Sequence, residues 1–204
     1  MTKVPRGVLF LLALGAILLA SGCSVNVNKD ADGHDKNVKI DTPLGNIHVT
    51  KNDDAVQSAG MSVYPGAKVQ PDKDGDKGAD VQLGFGAWQM RIKVAHYQTP
   101  DEQDKVISFY RKALGSEGEV IECQGDKPVG SPTHTKTGLT CSDHINSQEV
   151  HTGDNDLTLK SGTKHRQRIV AFEHESSHAA GSPTQFTLIS LDLPKGGSDT
   201  RESD

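Results

Sequence analysis

The strongest periodicity of apolar residues lies within residues 99–115 and predicts an amphipathic helix. One stripe recurs at helical spacing: Val106, Phe109, Tyr110, Ala113 and Leu114. Thr99 and Glu102 have the spacing of a capping box, which predicts that Thr99 caps the start of the helix. Gly115 is placed to end it as the C′ residue. Because such a stripe is stable only when it is covered, the helix must pack on another element.

Shorter segments alternate apolar and polar residues, which predicts strands. Val25 and Val27, followed by residues 38–49 around a turn at residues 42–45, indicate small hairpins. Further strands are predicted at residues 81–85, 90–94, 119–123, 139–141, 157–159, 168–173 and 185–193. Strands around a single helix predict an α+β fold, in which one amphipathic helix packs on an antiparallel β-sheet, preceded by a small N-terminal β-hairpin segment.

Residues 1–22 have neither the helical nor the alternating periodicity, and their composition predicts a secretory signal peptide. Lys3 and Arg6 precede an apolar run over residues 8–20, and small residues lead from it to Cys23. As a helix the run would reach about 20 Å, whereas the hydrocarbon core of a bilayer is about 30 Å thick. The run is therefore long enough for a cleaved signal and too short for a stable transmembrane helix.

The cysteine at this boundary makes the segment resemble a bacterial lipoprotein signal. The resemblance implies that Cys23 becomes the mature N-terminus and carries acyl chains such as palmitate, which anchor the protein in a membrane. Ser24, rather than an acidic residue, follows Cys23, as in lipoproteins that are sent to an outer membrane. The implied location is the bacterial cell envelope, on the outer membrane facing the periplasm. An ordinary secretory signal is the alternative.

These patterns divide the chain into four parts. They are the lipoprotein signal peptide (1–22), a membrane-proximal β-hairpin segment and linker (23–60), an α+β globular domain (61–194) and a disordered tail (195–204). The tail is assigned from its lack of apolar residues, without which a segment cannot join a core.

The charge of the predicted mature chain argues against one class of partner. The full chain has 22 basic and 27 acidic residues, and removal of residues 1–22 takes away Lys3 and Arg6 but no acid, which leaves a net charge of −7. Nucleic-acid binding needs clustered Lys and Arg. We therefore expect no nucleic-acid partner, and the sequence does not identify a protein or small-molecule partner.

Cys123 and Cys141 are the two cysteines that remain beyond Cys23. In the oxidising compartment that a secretory signal implies, an even pair predicts a disulfide. A redox-active pair is the alternative, although neither cysteine lies in a C-x-x-C motif.

A turn motif and a helix motif carry a second resemblance. Residues 64–67 read Tyr-Pro-Gly-Ala and predict a turn, and residues 109–112 of the predicted helix read Phe-Tyr-Arg-Lys. Together they are similar to a family of uncharacterised bacterial envelope lipoproteins in which such a turn precedes such a helix. The resemblance implies fold and location and no activity.

Residues 174–178 read H-E-x-x-H, a motif in which two histidines one helical turn apart bind zinc and the glutamate acts as a base. These residues are His174, Glu175 and His178. The β-rich residues before them and the Gly-Ser-Pro after them favour a hairpin instead. Histidines four residues apart in a strand lie about 13 Å from each other, too far to share one metal ion.

Six histidines of the C-terminal part of the chain are interpreted as solvated loop residues: His134, His144, His151, His165, His174 and His178. We therefore expect no catalytic residue, no metal site and no cofactor. The sequence predicts a lipid-anchored envelope protein that is not an enzyme and that serves as a structural or a partner- or ligand-binding module. The alternative is a zinc-dependent hydrolase that uses the motif at residues 174–178.

Overall fold

A computed structural model describes residues 23–29, 35–51, 60–71, 77–143, 156–172 and 182–194. In these ranges the chain forms eleven strands and one α-helix. They are β1 (Ser24–Lys29), β2 (Asp35–Thr42), β3 (Gly45–Thr50), β4 (Lys68–Val69), β5 (Gly78–Phe85), β6 (Trp88–Thr99), α1 (Gln103–Gly115), β7 (Val120–Gln124), β8 (Lys127–Pro128), β9 (Leu157–Thr163), β10 (Arg166–Phe172) and β11 (Thr184–Asp192).

All the strands pair in one antiparallel sheet, in the order β1-β2-β3-β5-β6-β11-β10-β9-β7-β8, with β4 paired to β6. The described fold is therefore a large antiparallel sheet with one helix. This agrees with the broad α+β prediction, although the sheet forms more of the structure than the sequence indicated.

Helix α1 packs on one face of the central strands and encloses the main core. The buried members of this core are Ala95, Tyr97, Val106, Ile107, Tyr110, Leu114, Leu159, Val170, Phe172, Phe186 and Leu188. Phe109 and Ala113 pack against it from the same helix, so the predicted apolar stripe faces the sheet as expected. Each large apolar side chain that is fully buried contributes about 1.5–3 kcal/mol relative to an exposed one.

Both predicted ends of the helix are wrong. Thr99 is the last residue of β6, where it pairs with Thr184, so it cannot cap the helix. The N-cap is Glu102, whose side chain makes no capping hydrogen bond. Gly115 is the last residue of the helix, and the C-cap Ser116 has right-handed helical backbone angles and donates its hydroxyl to the Ala113 carbonyl. Because Thr99 is held in the sheet, the helix begins later in the chain than predicted. The residue that caps its C-terminus is Ser116 rather than a glycine.

The N-terminal hairpins belong to the same sheet as the rest of the fold. Strand β3 pairs with β5 in a register that places Val49 opposite Val81, so β1–β3 extend the sheet beyond the helix. Residues 139–141, predicted as a strand, instead lie in a loop, where Thr140 forms an isolated bridge with His134. The predicted turn at residues 64–67 is present, with the Ala67 N–H donating to the Tyr64 carbonyl.

Candidate functional site

Cys23 is exposed and directly precedes β1. Ser24 is paired with Asp41, so the strand register brings Cys23 level with Thr42 at the end of β2. The predicted signal at residues 1–22 lies outside the described residues. The residue that would carry the lipid is therefore placed at one particular end of the sheet.

Two hairpin turns lie at the same end of the sheet as Cys23. The β2–β3 turn carries Leu44, which is 82% exposed, and the β5–β6 turn is flanked by the paired residues Phe85 and Trp88, which are 52% and 40% exposed. The Phe85 ring lies across Gly45, where a Cβ atom would come within 2.5 Å of it. Cys23 and Trp88 therefore lie in the same transverse row, which crosses five strands.

Three segments form this end: residues 23–28, 42–47 and 83–90. None of them contains Asp, Glu, Lys or Arg, although these residues make up 24% of the chain. We call these three segments the charge-free end. Large apolar patches on a soluble surface usually mark a site of contact with another molecule or a membrane.

The sheet has opposite character on its two faces near the charge-free end. One transverse row of cross-strand neighbours is apolar: Val25, Ile40, Ile47, Leu83 and Met90. The adjacent row, on the other face, is polar: Asn26, Lys39, His48, Gln82 and Arg91. This alternation has the period of two that the sequence showed. It gives this part of the sheet one apolar face and one polar face.

A disulfide joins Cys123 in β7 to Cys141, with Cα atoms 5.6 Å apart, as the sequence predicted. Both cysteines are buried, and they form a small second core with Ile121 and Leu139. The bond fixes the loop that follows β8 onto the face of the sheet that is opposite α1. Its burial in an apolar cluster is typical of a structural disulfide.

Lys160, which the sequence analysis did not select, is buried beside the disulfide. Its Nζ atom donates to the carbonyl oxygens of Cys141, at 2.8 Å, and Asp143, at 3.2 Å. Burial lowers the pKa of the Lys160 ammonium, and the carboxylates of Asp143 and Asp126 oppose that shift. A buried ammonium with two carbonyl acceptors holds the end of the disulfide loop against β9.

The zinc motif, with His174, Glu175 and His178, lies outside the described residues. The residues before it, up to Phe172, are in strand β10, and β10 pairs with β11, which begins at Thr184. His134 and His165 lie in loops, whereas His144 and His151 are also outside the described ranges. Within those ranges no three His, Cys, Asp or Glu residues are grouped closely enough to hold a metal ion.

Comparisons of the chain with protein-family models, with curated proteins and with solved structures found no match. In the described part of the chain, no helix has the length and apolar character that a membrane crossing requires.

Proposed function

We propose that this protein is a lipid-anchored component of the bacterial cell envelope and that its domain is a structural or a partner- or ligand-binding module without enzymatic activity. The observation that carries the anchoring is the position of Cys23, which follows a signal-like segment, is exposed, and directly precedes the first strand. Two or more acyl chains on this residue give stable attachment, whereas a single chain binds only marginally.

The anchor would hold the domain close to the membrane. Only Cys23 itself separates the acyl chains from strand β1, and β1 is joined by pairing to the whole sheet. The proposed location is the periplasmic side of the outer membrane, a location supported by Ser24 after the cysteine.

Metabolic labelling with a fatty acid tests the anchor. We expect the wild-type protein to incorporate label and Cys23→Ser to lose it and to accumulate as an unprocessed precursor. Ser24→Ala is the matched control and should be labelled like the wild type. Label that persists in Cys23→Ser would overturn the proposal.

Zinc analysis tests the non-enzymatic part of the proposal. The purified protein, dialysed against a mild chelator, should retain no stoichiometric zinc, and Glu175→Gln should leave any activity that is found unchanged. His165→Ala, in the turn between β9 and β10, serves as a control for His178→Ala. One zinc ion per chain that is lost in His178→Ala but kept in His165→Ala would support the zinc hydrolase instead.

A further inference from the structure

The charge-free end is positioned so that one lipid anchor would bring all of it to a membrane. Cys23 and Trp88 lie in the same transverse row, separated by four strand spacings, which is about 19 Å. Acyl chains that enter the bilayer at Cys23 therefore hold the hairpin turn with Leu44 and the pair Phe85 and Trp88 near the same surface.

We propose, on the basis of the proposed lipid attachment at Cys23, that the charge-free end inserts shallowly into the bilayer, with Leu44, Phe85 and Trp88 at the boundary between headgroups and acyl chains. Apolar side chains gain free energy when they leave water for this boundary. Tryptophan is enriched there because its ring is large and apolar while its N–H remains able to form a hydrogen bond. Phe85 and Trp88 pack on each other, with ring centroids 5.8 Å apart, and so present one aromatic surface.

The chemistry of the patch favours a lipid occupant over a protein partner. The three segments contain no charged residue that could pair with a specific partner, and none that would oppose entry into the headgroup region. Asp41 pairs with Ser24 and Asn46 at this end of the sheet, but the strand alternation places it with Lys39 and Arg91 on the opposite face, where its carboxylate lies 3.3 Å from Lys39 Nζ. Shallow insertion through the apolar face therefore leaves these charges at the headgroups or in water and does not depend on anionic lipid.

The same orientation sets the rest of the domain away from the membrane. Strand β6 runs from Trp88 at the charge-free end to Thr99, a rise of about 36 Å along an extended strand. The core under α1 lies against Ala95 and Tyr97, in the distal half of this strand. The disulfide is also distal, because Cys123 is on the row of His96. The charge-free end thus contacts lipid while the main core and the disulfide bond itself remain in water.

Trp88 is the single tryptophan of the chain, so its fluorescence reports on this site alone. The full lipidated protein is reconstituted into vesicles of phosphatidylethanolamine and phosphatidylglycerol, with and without brominated acyl chains. We expect brominated lipid to quench the Trp88 emission, and the quenching to be insensitive to salt because no ion pair holds the site. Leu44→Asp should reduce the quenching by about half or more.

Val129→Asp is the matched control, since it places the same charge on an exposed valine next to β8, at the other end of the strand order. It should leave the quenching unchanged, and urea unfolding should show both variants folded.

If the protein floats with the vesicles but brominated lipid does not quench Trp88, the inference is wrong while the anchor stands. If Trp88 is shielded from acrylamide without quenching by brominated lipid, a protein surface covers the charge-free end. A chain that neither incorporates fatty acid nor floats overturns the proposed function as well.

Discussion

The hydroxyl of Tyr110 accepts a hydrogen bond from the backbone N–H of Tyr64 at 3.1 Å. The Phe109 ring meets the Tyr64 ring edge-on, with centroids 5.2 Å apart, and the Tyr64 hydroxyl donates to Asp101 at 2.7 Å. The turn at residues 64–67 is therefore bound to helix α1 by one hydrogen bond from its backbone to a helix side chain and by one aromatic contact. The turn motif and the helix motif therefore form a single packed unit in this chain.

Tyr110→Phe should lower the free energy of unfolding by about 1–3 kcal/mol, because it leaves the Tyr64 N–H without its acceptor. Urea unfolding of the purified protein measures the loss. Tyr97→Phe is the control, since it removes a hydroxyl from the same core without removing an acceptor from a described backbone N–H. Equal stability of Tyr110→Phe and wild type would contradict the structural role of this hydrogen bond.

Tyr110 should also make the fold sensitive to alkali. Burial raises the pKa of Tyr110 above the value of about 10 that it has in the unfolded chain. Above pH 10 the unfolded chain therefore loses this proton first, and stability falls as the pH rises. Tyr110→Phe should lose stability less steeply than the wild type over this range, as followed by circular dichroism. An unchanged slope would show that other groups cause the alkaline unfolding.

The titration of Lys160 should make stability rise with pH, which is opposite to the effect of Tyr110. Its pKa is lowered in the folded protein, so between the folded value and 10.5 the unfolded chain binds more protons. The stability of the wild type relative to Lys160→Met should therefore rise with pH up to about 10.5. Because both proteins contain Tyr110, its contribution cancels in this difference. A difference that stays constant with pH would show that Lys160 titrates normally.

Loss of the disulfide should destabilise the domain by about 3 kcal/mol in the chain-entropy model for a loop of this length. The comparison is between the double variant Cys123→Ala/Cys141→Ala and the wild type, both purified as the full protein in the same detergent. Mass spectrometry without reduction should first show the two cysteines linked in the parent protein. Two free thiols in the freshly isolated protein would be inconsistent with the bond.

Gly162 should tolerate no side chain. Its φ is +109°, and a Cβ atom there would lie 2.1 Å from the carbonyl oxygen of Arg166. We expect Gly162→Ala to cost about 1–3 kcal/mol or more. Gly115→Ala is the matched control because a Cβ atom at this helical position meets nothing within 4 Å, and it should stabilise by about 0.5–1 kcal/mol. Equal effects of the two substitutions would contradict the turn geometry at Gly162.

The local features of this fold could be predicted from the sequence. The stripe of α1, the turn at residues 64–67 and the positions of most strands follow from periodicity and turn chemistry, which depend on neighbours along the chain. The disulfide followed from the count of cysteines and the expected compartment. The lipid attachment at Cys23 stays a prediction that rests on the adjoining segment alone.

The remaining features depend on contacts between distant residues. Thr99 has the spacing of a helix cap but is held in β6 by its pairing with Thr184 of β11, which lies much later in the chain. The alternation of residues in β9 assigns Lys160 to a solvent-facing side of the sheet. The disulfide loop covers that side, so Lys160 is buried. The charge-free end was not predicted because its three segments come together only through the pairing of β3 with β5 and the two adjoining hairpins.

Strand β11 lies between β6 and β10, in the middle of the strand order, although it is the last of the described strands along the chain. Thr184 at its start also donates its hydroxyl to the Asp101 carbonyl at 2.6 Å, beside the first residues of α1. During synthesis, every earlier strand is therefore complete before the strand that joins β6 to β10 exists. The nascent chain therefore cannot join the β1–β6 part of the sheet to the β7–β10 part until residues 184–192 are available, so the described sheet closes late in synthesis.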